Sequence, residues 1–239
     1  MLKNGDTEAT DFYNYLVENY KTICYNISNA CAKYRSPDDK VDIMGVTKTV
    51  PADVVNASID LGVNLLGENR VQEYLSKREL YKPAKVHIIG HLQTNKVKYI
   101  VDNVDMIQSV DSVKLATEIN RLAQKCNKTM DVLLEVNIGG EESKSGVSVE
   151  RLYELADFVS QLPSIRLRGL MTIPPIGCSE SVFEKMHGIY LDAKSKYGEC
   201  FDTLSMGMSG DYELAIKHGS TLVRLGTALY GARKYTEEK

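Results

Sequence analysis

Residues 41–69 read VDIMGVTKTVPADVVNASIDLGVNLLGEN and contain a complete β–α–β unit. VDIMGVTK (41–48) is an apolar run of strand length, and Thr49-Val50-Pro51 turns the chain. ADVVNASIDLG (52–62) has helical period and closes on Gly62, a residue suited to a helix C-terminus. NLLGEN (64–69) is a second short strand. A helix between two strands returns the chain to the same end of the sheet, so the strands run parallel.

The alternation continues downstream. KVHIIGHL (85–92), MIQSV (106–110), MDVLLEVNI (130–138), IRLRGLMTI (165–173), TLSMGMS (203–209) and TLVRLGTALYG (221–231) read as strands. Helical segments separate them: VQEYLSKREL, NKVKYIVDN, SVKLATEINRLAQKC, VERLYELADFVSQL, about 181–197, and DYELAIKHG. Parallel strands bury both faces and need helices to cover them. About eight such units match a closed (β/α)₈ barrel, the TIM type. An open doubly wound sheet would leave units unused, and neither G-x-G-x-x-G after the first strand nor G-x-x-x-x-G-K-[ST] occurs.

Upstream, Phe12, Leu16, Ile23 and Ile27 recur at roughly helical spacing, and Ser36-Pro37-Asp38-Asp39-Lys40 reads as a connector. The expected organisation is an α/β chain in three parts: a helical extension over 1–40, a single barrel over 41–233, and a terminal tail over 234–239.

Composition narrows the partners. The 239 residues are 43% hydrophobic and 26% charged, too apolar for a disordered chain. A net charge of -3 argues against nucleic acid or an anionic membrane as the main partner. Five scattered cysteines form no C-x-x-C pair and no zinc spacing, so no metal site is expected. The N-terminus lacks a signal-like apolar run, and no stretch reaches the ~18–20 apolar residues of a membrane span. The expectation is a cytoplasmic protein, with a mitochondrial pool left open.

In a barrel of this kind the carboxyl ends of the strands converge on one mouth. Lys48 ends the first strand, where confinement would lower its pKa and favour the neutral amine that imine formation requires. Ser209 follows strand 7, and Gly226-Thr227 follow the start of strand 8, the two loops that commonly cradle a phosphate. Arg224 lies within an apolar strand, and burial would require an acceptor, either a carboxylate or an atom of a ligand. An Arg facing a pyridine nitrogen would keep that nitrogen unprotonated. His91, at another strand end, suits either a ligand contact or a structural bond. Lys144, after strand 5, reads first as a solvated loop residue, with a ligand contact at the mouth as the alternative, and His87, His187 and His218 read as structural.

These residues lie in VTKTVPADVVNASIDLGVNLLGENRVQE, VHIIGHLQTNKVKYI, LLEVNIGGEESKSG, RGLMTIPP and LSMGMSGDYELAIKHGSTLVRLGTALYGAR. Together the blocks resemble the pyridoxal phosphate homeostasis protein family, over about residues 41 to 233. The resemblance implies a fold similar to the barrel of alanine racemase and other fold-type III enzymes. It also implies pyridoxal 5'-phosphate held covalently on Lys48 as an aldimine. Asn69 matches a residue lining the pocket, Ser209 and Gly226-Thr227 match the phosphate positions, and Arg224 matches the arginine facing the ring nitrogen. Gly210 departs from the polar residue common there.

Racemases of this kind add a C-terminal domain and draw a second base from a dimer partner, whereas this sequence stops soon after Gly231. The expected role is therefore binding without catalytic residues: a monomer that stores, buffers and delivers the vitamin B6 aldehyde, with apo-enzymes as recipients. The alternatives are a pyridoxal phosphate-dependent amino-acid racemase and a Schiff-base aldolase acting on a phosphosugar.

Overall fold

The computed structural model describes residues 4–36, 38–141 and 144–232, with side chains from Tyr13 onward. The tail expected over 234–239 and the Phe12 side chain lie outside the described residues. The strands are β1 (Asp42–Val46), β2 (Leu65–Glu68), β3 (Lys85–Ile88), β4 (Met106–Val110), β5 (Met130–Glu135), β6 (Ile165–Met171), β7 (Thr203–Ser205) and β8 (Leu222–Leu225). They pair in parallel in chain order, and β8 returns to β1 to close the barrel. α1 (Asn4–Tyr34) precedes them. α2 (Ala52–Asp60), α3 (Val71–Lys77), α4 (Val113–Lys125), α5 (Leu152–Ser160), α6 (Glu180–Tyr197), α7 (Tyr212–Lys217) and α8 (Thr227–Tyr230) follow strands 1, 2, 4, 5, 6, 7 and 8.

Two segments depart from the sequence reading. NKVKYIVDN is not an α-helix: Thr94–Tyr99 is a 3₁₀ helix linking β3 to β4. Val97 within it and Ile100, Val101 and Val104 just after it are all buried, so a tight turn plugs the core where a helix was expected. The apolar run 221–231 divides in two, since β8 stops at Leu225 and α8 begins at Thr227. The strands end earlier than read in general, because the residues after them fold across the mouth as turns.

The helical face of α1 buries Leu16, Ile23, Ile27, Ala30 and Cys31. These pack with Tyr212 and Ile216 of α7 and with Leu229 and Tyr230 of α8. Each large apolar side chain so buried contributes about 1.5–3 kcal/mol. Asn19 Nδ2 adds a bond to Leu229 O at 3.0 Å, and Asn26 Nδ2 one to Tyr212 Oη at 2.9 Å. The extension thereby clamps the helices that flank the closing strand.

Register assigns the interior face. Met44 pairs with Arg224, Gly67 with His87, His87 with Met106, and Glu135 with Met171. At the amino-terminal end, Asp131 accepts from Arg166 Nε at 2.6 Å and from Arg168 at 2.8 Å, and Arg168 also bonds Asp202 at 2.6 Å. A buried carboxylate is tolerated there because two guanidiniums surround it. Methionines and Leu133 fill the middle. Gly169 has φ +150°, and a Cβ there would lie 1.8 Å from Thr203 O, so β6 and β7 approach closely only with glycine.

Candidate functional site

Arg224 organises the upper interior. It is 3% exposed, and no carboxylate lies within salt-bridge distance among the described residues. Its acceptors are instead neutral oxygens: Ser205 O at 2.8 Å, Ser205 Oγ at 2.7 Å and Thr172 O at 2.7 Å. Burial pushes the guanidinium down to about 10, with the Glu135 and Asp211 charges opposing, so it remains cationic at neutral pH.

A relay of bonds descends from it. Ser205 Oγ donates to Gln108 Oε1 at 2.7 Å, and Gln108 Nε2 lies 2.9 Å from His87 Nδ1. His87 is 6% exposed, and desolvation lowers its pKa to about 4, so the ring is neutral. Its Nδ1 therefore accepts from Gln108, which leaves the proton on Nε2. Every donor from Arg224 to His87 then points the same way.

The remaining predicted residues ring the mouth. Lys48 is partly buried in the turn after β1, and Asn69 is half-buried directly after β2. Ser209 accepts from the Ala228 N–H at 3.0 Å, which stitches the loop after β7 to the start of α8. The hydroxyl thus serves α8, not the start of the following helix α7; Asp211 stands at that N-cap and accepts from Met208 N–H at 2.6 Å. A Cβ on Gly226 would meet nothing closer than Val46 at 3.8 Å, so its missing side chain leaves open space beside the backbone. Thr227 is exposed at the first position of α8. β1 and β8 are neighbours, so the lysine turn and the Gly226 loop adjoin across the closure.

His91 stands apart. Its side chain is 60% exposed, with Nδ1 3.7 Å from Asp111 Oδ2 at the β3–β4 rim. Lys144 pairs with Glu141 in the loop after β5.

The sequence reading missed Glu135. It is 4% exposed on the interior face, and Oε1 accepts from Ser145 Oγ at 2.9 Å while Oε2 has no partner among the described residues. Burial raises its carboxyl pKa; the Ser145 bond and the Arg224 charge pull it down. The available signal was parity, since Asp131 and Glu135 put two carboxyls on one face of an apolar strand. The lower one has two guanidiniums and the upper one has none bonded to it.

These atoms bear on whether an anionic heteroaromatic aldehyde fits the mouth. Asn69 Oδ1, Ser109 Oγ and Glu135 Oε2 are buried polar atoms lacking partners among the described residues, at the ends of β2, β4 and β5. With the buried cation of Arg224, which acts electrostatically on Glu135, and the space beside Gly226, the strand ends supply the kinds of polar group that a small ligand carrying ring, hydroxyl and phosphate groups needs.

The barrel, its mouth and its extra leading helix place the chain in one class: residues 19–234 match the family model described as alanine racemase, N-terminal domain. Within that class, the chain belongs to the pyridoxal phosphate homeostasis protein family. It is 43% identical over 224 residues to the family's Aquifex aeolicus member, covering 91% of this chain and 98% of that one. A solved protein of unknown function from Bifidobacterium adolescentis is 34% identical with a TM-score of 0.84, covering 96% of this chain and 97% of that one. PipY of Synechococcus elongatus, solved with PLP bound, is 28% identical with a TM-score of 0.77, covering 90% of this chain and 100% of that one.

Proposed function

We propose that the chain carries pyridoxal 5'-phosphate on Lys48, in the barrel mouth, and serves as a reversible store of that aldehyde in cytoplasmic vitamin B6 homeostasis. The observation that carries this reading is the adjacency of β1 and β8, which sets the lysine turn beside the Gly226 loop and the Ser209–Ala228 stitch. One strand thus offers an amine and its neighbour an anion cradle. The bound group supplies an aldehyde, and the Lys48 amine condenses with it to a C=N link with loss of water. Water or a second amine reverses the condensation, so release needs no further machinery.

The other side chains hold and orient. Ser209 and the backbone at Gly226–Thr227 receive the phosphate, and Asn69 lines the pocket. Arg224, fixed by Ser205 and Thr172, presents a cation to the ring nitrogen and keeps it unprotonated, which weakens carbanion stabilisation. The role is accordingly binding and not turnover, with residues 41–233 as the binding unit, a monomer as the working form, and apo-enzymes that use the same cofactor as recipients.

Borohydride reduction after incubation with the aldehyde, followed by peptide mapping, tests this reading. A pyridoxyl phosphate mass on the Lys48 peptide is expected, and its loss in Lys48→Ala with retained fold. An unmodified Lys48 peptide from the wild type refutes it. A sugar phosphate adduct formed from phosphosugars would instead support an aldolase. Exchange of the alanine α-proton in deuterated water would support a racemase, in line with the name of the matched family model.

A further inference from the structure

Thr49 has φ +63°. That left-handed backbone is rare for any residue with a Cβ and rarer for a β-branched one, so the surroundings must hold it. Local bonds hold part of the turn, with Thr49 Oγ1 donating to Lys48 O at 2.6 Å and Val50 N–H to Thr47 O at 3.0 Å, and α3 adds two more. The Thr49 N–H donates to Glu73 Oε1 at 2.6 Å, and Lys77 Nζ donates to Thr47 O at 3.3 Å. Lys77 and Glu73 also pair with each other at 2.5 Å, with side chains only 16% and 21% exposed. Burial pushes the Glu73 carboxyl up, but Lys77 and the Thr49 N–H outweigh it and hold it below its ordinary value, as expected of an anion in steady use. Thr47 is further tied to β2, its Oγ1 donating to Gly67 O at 3.2 Å.

An i,i+4 pair on a helix is usually a solvated ornament worth little. This one is spent on the backbone immediately before and after one residue, Lys48. One short contact on residue 49 and two longer ones on residue 47 restrain the direction in which residue 48 leaves the main chain, at the cost of a strained φ.

We infer that Glu73 and Lys77 are positioning residues for Lys48, holding its turn in the orientation from which the amine meets a carbonyl in the mouth. This rests on the reading of Lys48 as the imine-forming residue. Neither residue touches the ligand; both act through the main chain. Reaction at Lys48 then depends on α3, while retention of the phosphate, which belongs to the loops after β7 and β8, does not.

The test separates these two quantities. Imine formation with pyridoxal 5'-phosphate is timed by borohydride quenching and mass analysis of the Lys48 peptide. Binding of pyridoxine 5'-phosphate, the alcohol that has no carbonyl, is measured by calorimetry. Glu73→Ala is expected to slow trapping about tenfold or more, since small misplacements of a reacting group are costly. Its affinity for the alcohol should stay within about twofold, below the free-energy change of a typical single hydrogen bond. Glu73→Gln, whose amide oxygen still accepts from Thr49, should recover most of the rate. Trapping at the wild-type rate in Glu73→Ala overturns the inference, as does equal weakening of both ligands, which would mark a merely structural role. If Glu73→Ala does not fold, Lys77→Met must show the same split in smaller degree, and its absence is equally fatal. A wild type that forms no adduct on Lys48 brings down the underlying reading, an outcome distinct from a normal wild type with an indifferent variant.

Discussion

Lowering the pH from 7 to 4 should cost the barrel about 3 kcal/mol through a single side chain, His87. The ring titrates near 6.5 in an unfolded chain and near 4 in the fold, because burial penalises the imidazolium. Between those values the unfolded chain binds one more proton, so stability falls as pH drops through the window and is untouched above it. At about 1.4 kcal/mol per tenfold difference in proton affinity, the full gap is worth about 3 kcal/mol, most of it lost by pH 4. Other groups titrate in the same range, so the assay is comparative. Urea unfolding of wild type and His87→Gln would be followed at several pH values between 7 and 4. The variant keeps an acceptor for Gln108 but no titrating ring, and its stability should fall less steeply by that amount. Protonation also places a hydrogen on Nδ1, so Gln108 must turn and Ser205 loses the acceptor that orients it beside Arg224. Parallel pH curves, within about 0.5 kcal/mol, would refute both the neutral ring and the direction assigned to the relay.

Ser209→Ala should weaken pyridoxine 5'-phosphate binding about tenfold, since it removes a hydroxyl and frees the Ala228 N–H, as titration calorimetry would show. Gly169→Ala should unfold the barrel or cost it more than about 3 kcal/mol in urea denaturation, because the new Cβ meets the Thr203 carbonyl; a variant within about 1 kcal/mol of wild type would contradict that packing. Glu135→Gln should stabilise the ligand-free protein by about 1 kcal/mol at pH 7–8, because burying the ionised carboxyl is unfavourable. A folded carboxyl pKa above its unfolded value makes this penalty vanish as pH falls to the ordinary carboxylate range, so denaturation curves of the two proteins should meet at acid pH.

The barrel was legible because the hydrophobic period switches repeatedly between strand and helix, and each turn carries Gly, Pro or a polar pair. Boundaries were less so. TLVRLGTALYG carries its break at Gly226-Thr227, but apolar residues continue on both sides, so the run reads as one strand although β8 stops at Leu225. The 3₁₀ link was hidden because Val97, Ile100, Val101 and Val104 suit an α-helical stripe as well as a tight turn. Arg224 stood out as a charge in an apolar strand, yet the neutral carbonyl and hydroxyl oxygens that receive it come from β7 and from the residue after β6, far away in sequence. Glu135 was hidden because an acid within MDVLLEVNI reads equally well as an ion-paired strand residue, which Asp131 of the same strand is. Glu73 and Lys77 look like any surface helix pair until the tertiary fold lays the Lys48 turn against them.

Closure between β1 and β8 has a consequence for how the protein is made. Lys48 leaves the ribosome before Ser209, Arg224 and Gly226, which follow roughly ten to thirty seconds later at ordinary elongation speeds. Through that interval a nascent chain displays its amine without the cradle beside it. On the proposed reading, ligand capture is therefore a property of the closed ring, and β8 is the strand whose arrival switches it on.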